Sequence, residues 1–151
     1  MSPASRPRPV VLDTSVAIAW LLQDEPLRAA ALGIADSIRS GALEPIVASN
    51  FGFELRHSLV RSARRERIGW ELIPQALASI ERLRLATPPI GYPDESLLEL
   101  CRTQRVTWGD AHHAWLALRS ARPLVTADQR LVRALDGSGI WVAHLGDLRL
   151  D

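Results

Sequence analysis

Val10-Val11-Leu12-Asp13-Thr14-Ser15 is the stretch that decides the fold. Three apolar, strand-favouring residues run directly into an acid and two hydroxyls, and then into the apolar Val16-Ala17-Ile18-Ala19-Trp20-Leu21-Leu22. The pattern predicts a buried strand whose carboxyl end delivers Asp13 into a tight turn before a helix. In open α/β sheets, ligands collect outside the carboxyl ends of the strands. Further acids at that edge would make Asp13 part of a site, and three residues qualify: Glu54, Asp110 and Asp128.

Outward from this stretch, strands and helices alternate. Asp24-Glu25-Pro26 breaks the first helix, and Leu27, Ala31, Ile34 and Ile38 mark a second that stops at Gly41. Pro45 to Ala48 reads as a short second strand, and Ser49-Asn50 as the cap of a third helix through Arg67. Leu72, Ile73, Ala76, Leu77, Ile80 and Leu83 define a fourth helix, forming a hairpin with the third. Leu85 to Ile90, interrupted by Pro88-Pro89, predicts a weak edge strand. Asp94-Glu95-Ser96 opens a fifth helix. Thr107-Trp108-Gly109-Asp110 opens a sixth, packed through Ala111, Ala114, Trp115 and Leu118. Pro123 to Thr126 is a strand, a helix follows Asp128 to Leu135, and Ile140 to Ala143 is a final strand. The alternation predicts an α/β fold, a three-layer α/β/α sandwich with a largely parallel sheet.

Composition bounds the class. A chain of 151 residues, 47% hydrophobic and 23% charged, suits one domain, expected over residues 10–151 behind a flexible leader at 1–9. The leader is rich in Pro, Arg and Ser and has no apolar core of a secretory signal, and no run is long enough to span a membrane, so a cytoplasmic protein is expected. The net charge of +1 decides nothing about nucleic acid. All 18 basic residues are Arg, which suits RNA phosphates and bases but also follows from plain compositional bias. The single Cys101 excludes an internal disulfide and a cysteine-based metal site, and its rhythm with Leu97 and Leu98 gives it a core position.

Singly, each acid has an ordinary job. Asp13 would cap the following helix, Thr107-x-x-Asp110 matches a capping box, and Asp128 favours a first helical turn. Glu54 would pair with a nearby Arg. Together they mean something else, because two carboxylates about 4 Å apart repel by roughly 4 kcal/mol at an effective dielectric near 20. A cation between them removes that cost, and all-oxygen ligation points to Mg²⁺ or Mn²⁺. Such an ion activates water and neutralises charge on a phosphodiester. Ser15 and Thr126 would hold the carboxylates from behind. No Walker-type phosphate loop and no dinucleotide fingerprint are present. His112 and His113, adjacent on one helix, point in different directions, so one approaches the edge and the other is surface or interface. His57 borders the site, and His144 is structural.

The chain resembles the PIN-domain family, in particular the VapC-type toxins of toxin–antitoxin pairs. The resemblance rests on Val10-Val11-Leu12-Asp13-Thr14-Ser15, Phe53-Glu54-Leu55 with Leu59-Val60, Trp108-Gly109-Asp110-Ala111 and Leu124-Val125-Thr126-Ala127-Asp128. It implies a homodimeric, Mg²⁺- or Mn²⁺-dependent endoribonuclease, neutralised by a cognate VapB-type antitoxin. Its metal-binding and catalytic acids fall on Asp13, Glu54, Asp110 and Asp128, with Ser15 and Thr126 as polar supports. His112-His113 departs from the aliphatic or aromatic residues usual there. The exposed-looking strip Arg56, Arg61, Arg64 and Arg65 would guide RNA backbone. Two other classes remain open: a PIN-like RNA- or protein-binding module without cleavage, and a small metal-dependent phosphohydrolase.

Overall fold

Four short strands carry the molecule: β1 (Arg8–Leu12), β2 (Leu43–Ile46), β3 (Leu124–Thr126) and β4 (Val142–His144). The computed structural model describes residues 6–149, and among these the strands form one sheet in the order β2-β1-β3-β4, parallel at every pairing. Around it lie α1 (Thr14–Leu21), α2 (Arg28–Arg39), α3 (Phe51–Arg64), α4 (Ile73–Glu81), α5 (Asp94–Gln104), α6 (Trp108–Ser120) and α7 (Gln129–Ala134). No helix among the described residues is long and apolar enough to cross a membrane.

The side-chain alternation of β1 divides the core. Val10 and Leu12 face one way, onto Val16, Ile34, Leu55, Leu59 and Ile80 of α1 to α4. Val11 faces the other, with Leu124, onto Ala114, Leu116, Ala117 and Leu131 of α6 and α7. Two apolar faces need two covering layers, so the chain is the expected α/β/α sandwich. Strand order reverses between β1 and β3, since β2 lies on one side of β1 and β3 on the other. Crevices at the carboxyl end of such a switch point are where open α/β sheets bind ligands. Asp13 follows β1 there, and α3 and α6 begin close by.

Several boundaries differ from expectation. β1 starts at Arg8, so residues 8 and 9 belong to the sheet and not to a leader; residues 1–5 lie outside the described residues. Pro9 fits because odd-numbered amides of β1 face β3, as Val11 N–H to Pro123 O does, and β3 begins only opposite Val11. β2 ends at Ile46, the Val47 N–H on its outer side donates to Ala86 O, and the expected strand over 85–90 is reduced to one bridge, Ile46 to Ala86. α3 stops at Arg64: Ser62 O accepts from both Arg65 and Arg67, and Glu66 turns the chain with φ of 59°. A 3-10 turn over Trp70–Leu72 precedes α4, which ends at Glu81, short of Leu83. The last strand is shifted to Val142–His144. Cys101 is only partly buried and Leu98 is 57% exposed, so that rhythm marks one buried residue, Leu97.

α6 ends on Ala121, whose backbone is left-handed at φ of 52°. That conformation costs an L-residue about 1–2 kcal/mol, against roughly 0.5–1 kcal/mol for the extra chain entropy of glycine. Ala121→Gly should therefore stabilise the protein by about 0.5–1 kcal/mol, read by urea or thermal unfolding; a variant no more stable than the parent contradicts this account of the cap.

Candidate active site

Asp13 immediately precedes α1, yet its side chain makes no capping hydrogen bond. Its Oδ2 instead accepts from Ser15 Oγ at 2.6 Å and from Thr126 Oγ1 at 2.7 Å. Ser15 Oγ also accepts from the Ala127 N–H at 2.9 Å, so β1, α1 and the end of β3 are tied at one oxygen atom. Hydrogen bonds to a charged group contribute about 1.5–3 kcal/mol each, enough to hold a carboxylate that is only 5% exposed. Ser15 and Thr126 thus stand where the sequence places them, and Asp13 keeps Oδ1 free of both.

Glu54 arrives from the first turn of α3. Its Oε1 accepts from Asn50 Nδ2 at 3.0 Å, one helical turn earlier, from Thr14 Oγ1 at 3.2 Å, and from His113 Nε2 at 2.5 Å. Asn50 Nδ2 also donates to Gly109 O at 3.2 Å, joining the starts of α3 and α6. A Cβ on Gly109 would sit 2.5 Å from Glu54 Oε2, so a larger residue there would make the Glu54 carboxylate shift. Burial works to raise the Glu54 pKa, but the hydrogen bond and charge of His113 outweigh it and hold the carboxylate below its ordinary 4.5.

Asp110 and Asp128 complete the group and are pushed in opposite directions. Thr107 Oγ1 accepts the Asp110 N–H at 3.1 Å, so the cap of α6 is made by Thr107 and not by the Asp110 carboxylate. Burial first, and then the charge of Asp13, raise the Asp110 pKa, with Asp128 adding to the effect. Asp128 does cap its helix, accepting the Arg130 N–H at 2.8 Å, and pairs with the Arg130 guanidinium at 3.2 Å. Burial would raise its pKa too, yet Arg130 brings it below 3.8. Carboxylates with divergent pKa values on one edge are the electrostatic mark of a functional site.

Of His112 and His113, one of which was expected at the edge, it is His113 that reaches it. It is fully buried, and its Nε2, besides meeting Glu54, lies 3.4 Å from Asp13 Oδ1 and 3.5 Å from Thr14 Oγ1. The signal lay in helical spacing: Asp110, His113, Ala114 and Ala117 stand at i, i+3, i+4 and i+7, and the last three are buried on one face of α6. Thr14 and Asn50 were missed as ligands of Glu54. His112 packs instead between Tyr92 and Trp108, ring centroids 5.2 and 5.4 Å away. His57 stacks on Phe53, and His144 is structural, bonding Gly146 N–H and Ala127 O. Arg56, Arg61, Arg64 and Arg65 do not join the acids. Arg56 turns to Gly52 O and Glu81, lining an open groove of about 440 Å³ beside α3 and α4. Arg64 is ten residues beyond Glu54, about 15 Å along α3 at 1.5 Å per residue, and Arg61 and Arg65 flank it.

Burial alone would lower the His113 pKa, but Asp13, Glu54 and Asp110 together carry it above the ordinary 6.5. A raised folded-state pKa stabilises fully below the unfolded value and is lost as pH rises through the folded one. Metal-free protein should therefore lose stability as pH climbs from about 6.5 into the alkaline range, more steeply than a His113→Gln variant, whose absolute stability is lower. Equal slopes in urea titrations across that window would contradict a charged His113.

The whole constellation lies inside the segment matched by the PIN domain family model, residues 10–136. No curated protein matches the chain in sequence. Among solved structures, it is similar to PAE2754 from Pyrobaculum aerophilum, with TM-score 0.68 and 17% identity, over 95% of this chain and 93% of that one. At that identity the likeness concerns the fold. The family match covers β1 from Val10, β2 and β3, all four acids and their supports, and by it the chain belongs to the PIN domain family, whose members are in general metal-dependent nucleases that bind RNA.

Proposed function

We propose that this protein is an endoribonuclease that hydrolyses RNA phosphodiester bonds with a water activated by Mg²⁺ or Mn²⁺. The supporting observation is the like-charge coupling of Asp110 to Asp13 and Asp128 on the edge where Glu54 meets His113. The donor set fits a hard divalent cation, being all oxygen, with Asp13 Oδ1 accepting from neither Ser15 nor Thr126. Asp13, Asp110 and Asp128 would hold the ion, with Glu54 as ligand or as the group that orients water. Among the described residues no three such side chains yet surround a common point, so ion binding must compete with the Asp128–Arg130 pair.

When bound, the ion supplies an activated water and neutralises charge on the phosphodiester. The chain's own residues do the rest. Ser15 and Thr126 fix the Asp13 carboxylate by one oxygen and leave the other for ligation. Thr14, Asn50 and His113 converge on Glu54 Oε1, which leaves Oε2 to accept a proton from water, and the lowered pKa keeps that acceptor ionised at neutral pH. Within this reading the protein acts in the cytoplasm as the toxin of a toxin–antitoxin pair, as a homodimer neutralised by a cognate VapB-type antitoxin, with Arg61, Arg64 and Arg65 contacting RNA backbone away from the scissile bond. RNA binding without cleavage is the competing reading, and His113 favours it, because its imidazole already stands between Glu54 and Asp13.

Two experiments test this. RNA should be cleaved with Mg²⁺ or Mn²⁺ and left intact with EDTA. Asp110→Asn should nearly abolish cleavage yet stabilise the metal-free protein by about 0.5–2 kcal/mol, since it removes a charge held among like charges. The Thr107 cap survives that change because it uses the backbone N–H. Normal cleavage together with a lower melting temperature would return Asp110 to a purely structural role. Separately, replacing Arg61, Arg64 and Arg65 should flatten the salt dependence of single-strand binding by roughly 0.7 in log–log slope per lost phosphate contact; an unchanged slope makes them a solvated helix face.

A further inference from the structure

Among the described residues, Arg130 is the one arginine bonded to any of the four site acids. Its guanidinium lies side-on to Asp128, with Nε 3.4 Å from Oδ1 and Nη2 3.2 Å from Oδ2. Charge-assisted N–H···O bonds close to about 2.7–2.9 Å, so this fork is loosely seated. Arg67 gives the contrast: its Nε and Nη2 meet Asp24 at 2.9 and 3.0 Å, and Glu25 accepts a further bond from the same group. The Arg130 side chain is 84% exposed, and exposed pairs hold weakly. The cap of α7 does not need the guanidinium either, because Asp128 accepts the Arg130 backbone N–H at 2.8 Å.

We infer that Arg130, released from Asp128 when the acids take a cation, grips the RNA phosphodiester at the acid edge, so that the site gains its phosphate contact only once it is loaded. The inference rests on the nuclease reading and deepens it. A guanidinium and a divalent cation on one carboxylate repel each other, so Asp128 keeps one or the other. The freed side chain stays tethered at the start of α7, two residues from Asp128. Asp128 first, and Asp110 to a lesser degree, hold the Arg130 charge above its ordinary pKa, which places that charge within reach of both acids. The planar fork that matches a carboxylate also matches a phosphate, so one group serves both partners in turn. The other arginines of the sequence reading cannot take this part. Arg56 is turned to Gly52 O and Glu81, and Arg61, Arg64 and Arg65 lie roughly 10 Å or more along α3 from Glu54. An edge of carboxylates repels a phosphodiester, and Arg130 supplies the missing positive group where that repulsion acts.

The test uses the full chain with Arg130→Ala and Arg130→Lys. Mn²⁺ affinity without RNA is read from the electron paramagnetic resonance signal of free Mn²⁺. RNA affinity is read with a labelled single-stranded phosphorothioate RNA, whose sulfur slows hydrolysis, at saturating Mn²⁺ and again in EDTA. Arg130→Ala should tighten Mn²⁺ binding by about 1.4- to 5-fold, the range for losing an exposed competing pair. The same variant should weaken RNA binding about 10-fold or more with Mn²⁺, as for one lost charged hydrogen bond, and by less than about 2-fold in EDTA. Arg130→Lys should recover only part of the RNA affinity, since an ammonium keeps the charge and loses the fork. The side chain is exposed and the cap uses the backbone, so thermal melts should match the parent and exclude misfolding. Unchanged or weaker Mn²⁺ binding would overturn the inference, because Arg130 would then not compete for Asp128. So would unchanged RNA affinity with Mn²⁺, which makes Arg130 a latch only, or an equal loss in EDTA, which makes it a contact independent of loading. A parent that binds no Mn²⁺ would overturn the cation site and this inference together. Both Arg130 effects intact in a protein that never cuts RNA would overturn only the nuclease reading.

Discussion

Everything at the carboxyl edge of the sheet depends on a buried imidazole. Asp13 and Glu54 come from opposite ends of the sequence logic, one closing a strand and one opening a helix, and both are drawn to His113 Nε2. Without a positive group there, burying Asp13 near Asp110 and Glu54 would cost several kcal/mol in repulsion. The raised pKa of His113 and the lowered pKa of Glu54 describe the same contact from its two sides. The imidazole thus lets α6 bring Asp110 against β1, and it does so at a position where the PIN-domain resemblance leads one to expect an aliphatic or aromatic residue.

The backbone arranges for this in a few places. Thr107 caps α6 through the Asp110 N–H. Gly109 removes the side chain that would strike Glu54. Thr126 and Ser15 tie the ends of β1 and β3, where strand order reverses, into one polar knot. Asp128 is the looser member, partnered by an exposed Arg130 and able to trade that partner for another cation.

Much of this was legible in the sequence. The run from Val10 to Ser15 placed Asp13 at a strand's end because burial on both faces leaves an uninterrupted apolar signal. The helices of the core announced themselves by period, and the parallel sheet followed from their alternation with strands. What escaped was set by tertiary pairing. The Val47 N–H on the outer edge of β2 pairs with Ala86 O, which no local pattern encodes, and α3 ends at Arg64 because Ser62 O collects two amides. Which of His112 and His113 reaches the edge is not given by the pair itself; the informative partner is Asp110, three residues before His113 on the same helix. Arg56 looked like one member of a basic strip, yet it turns toward Glu81 on the facing helix.

The account's central claim is that these carboxylates form one cation site. The most direct measurement is anomalous diffraction from crystals of the protein soaked in Mn²⁺. The account predicts a peak bonded to Asp13 Oδ1 and to Asp110 or Asp128, with the Asp128–Arg130 pair opened. A peak confined to other surfaces, with Asp128 still on Arg130 and the edge undisturbed, would contradict it.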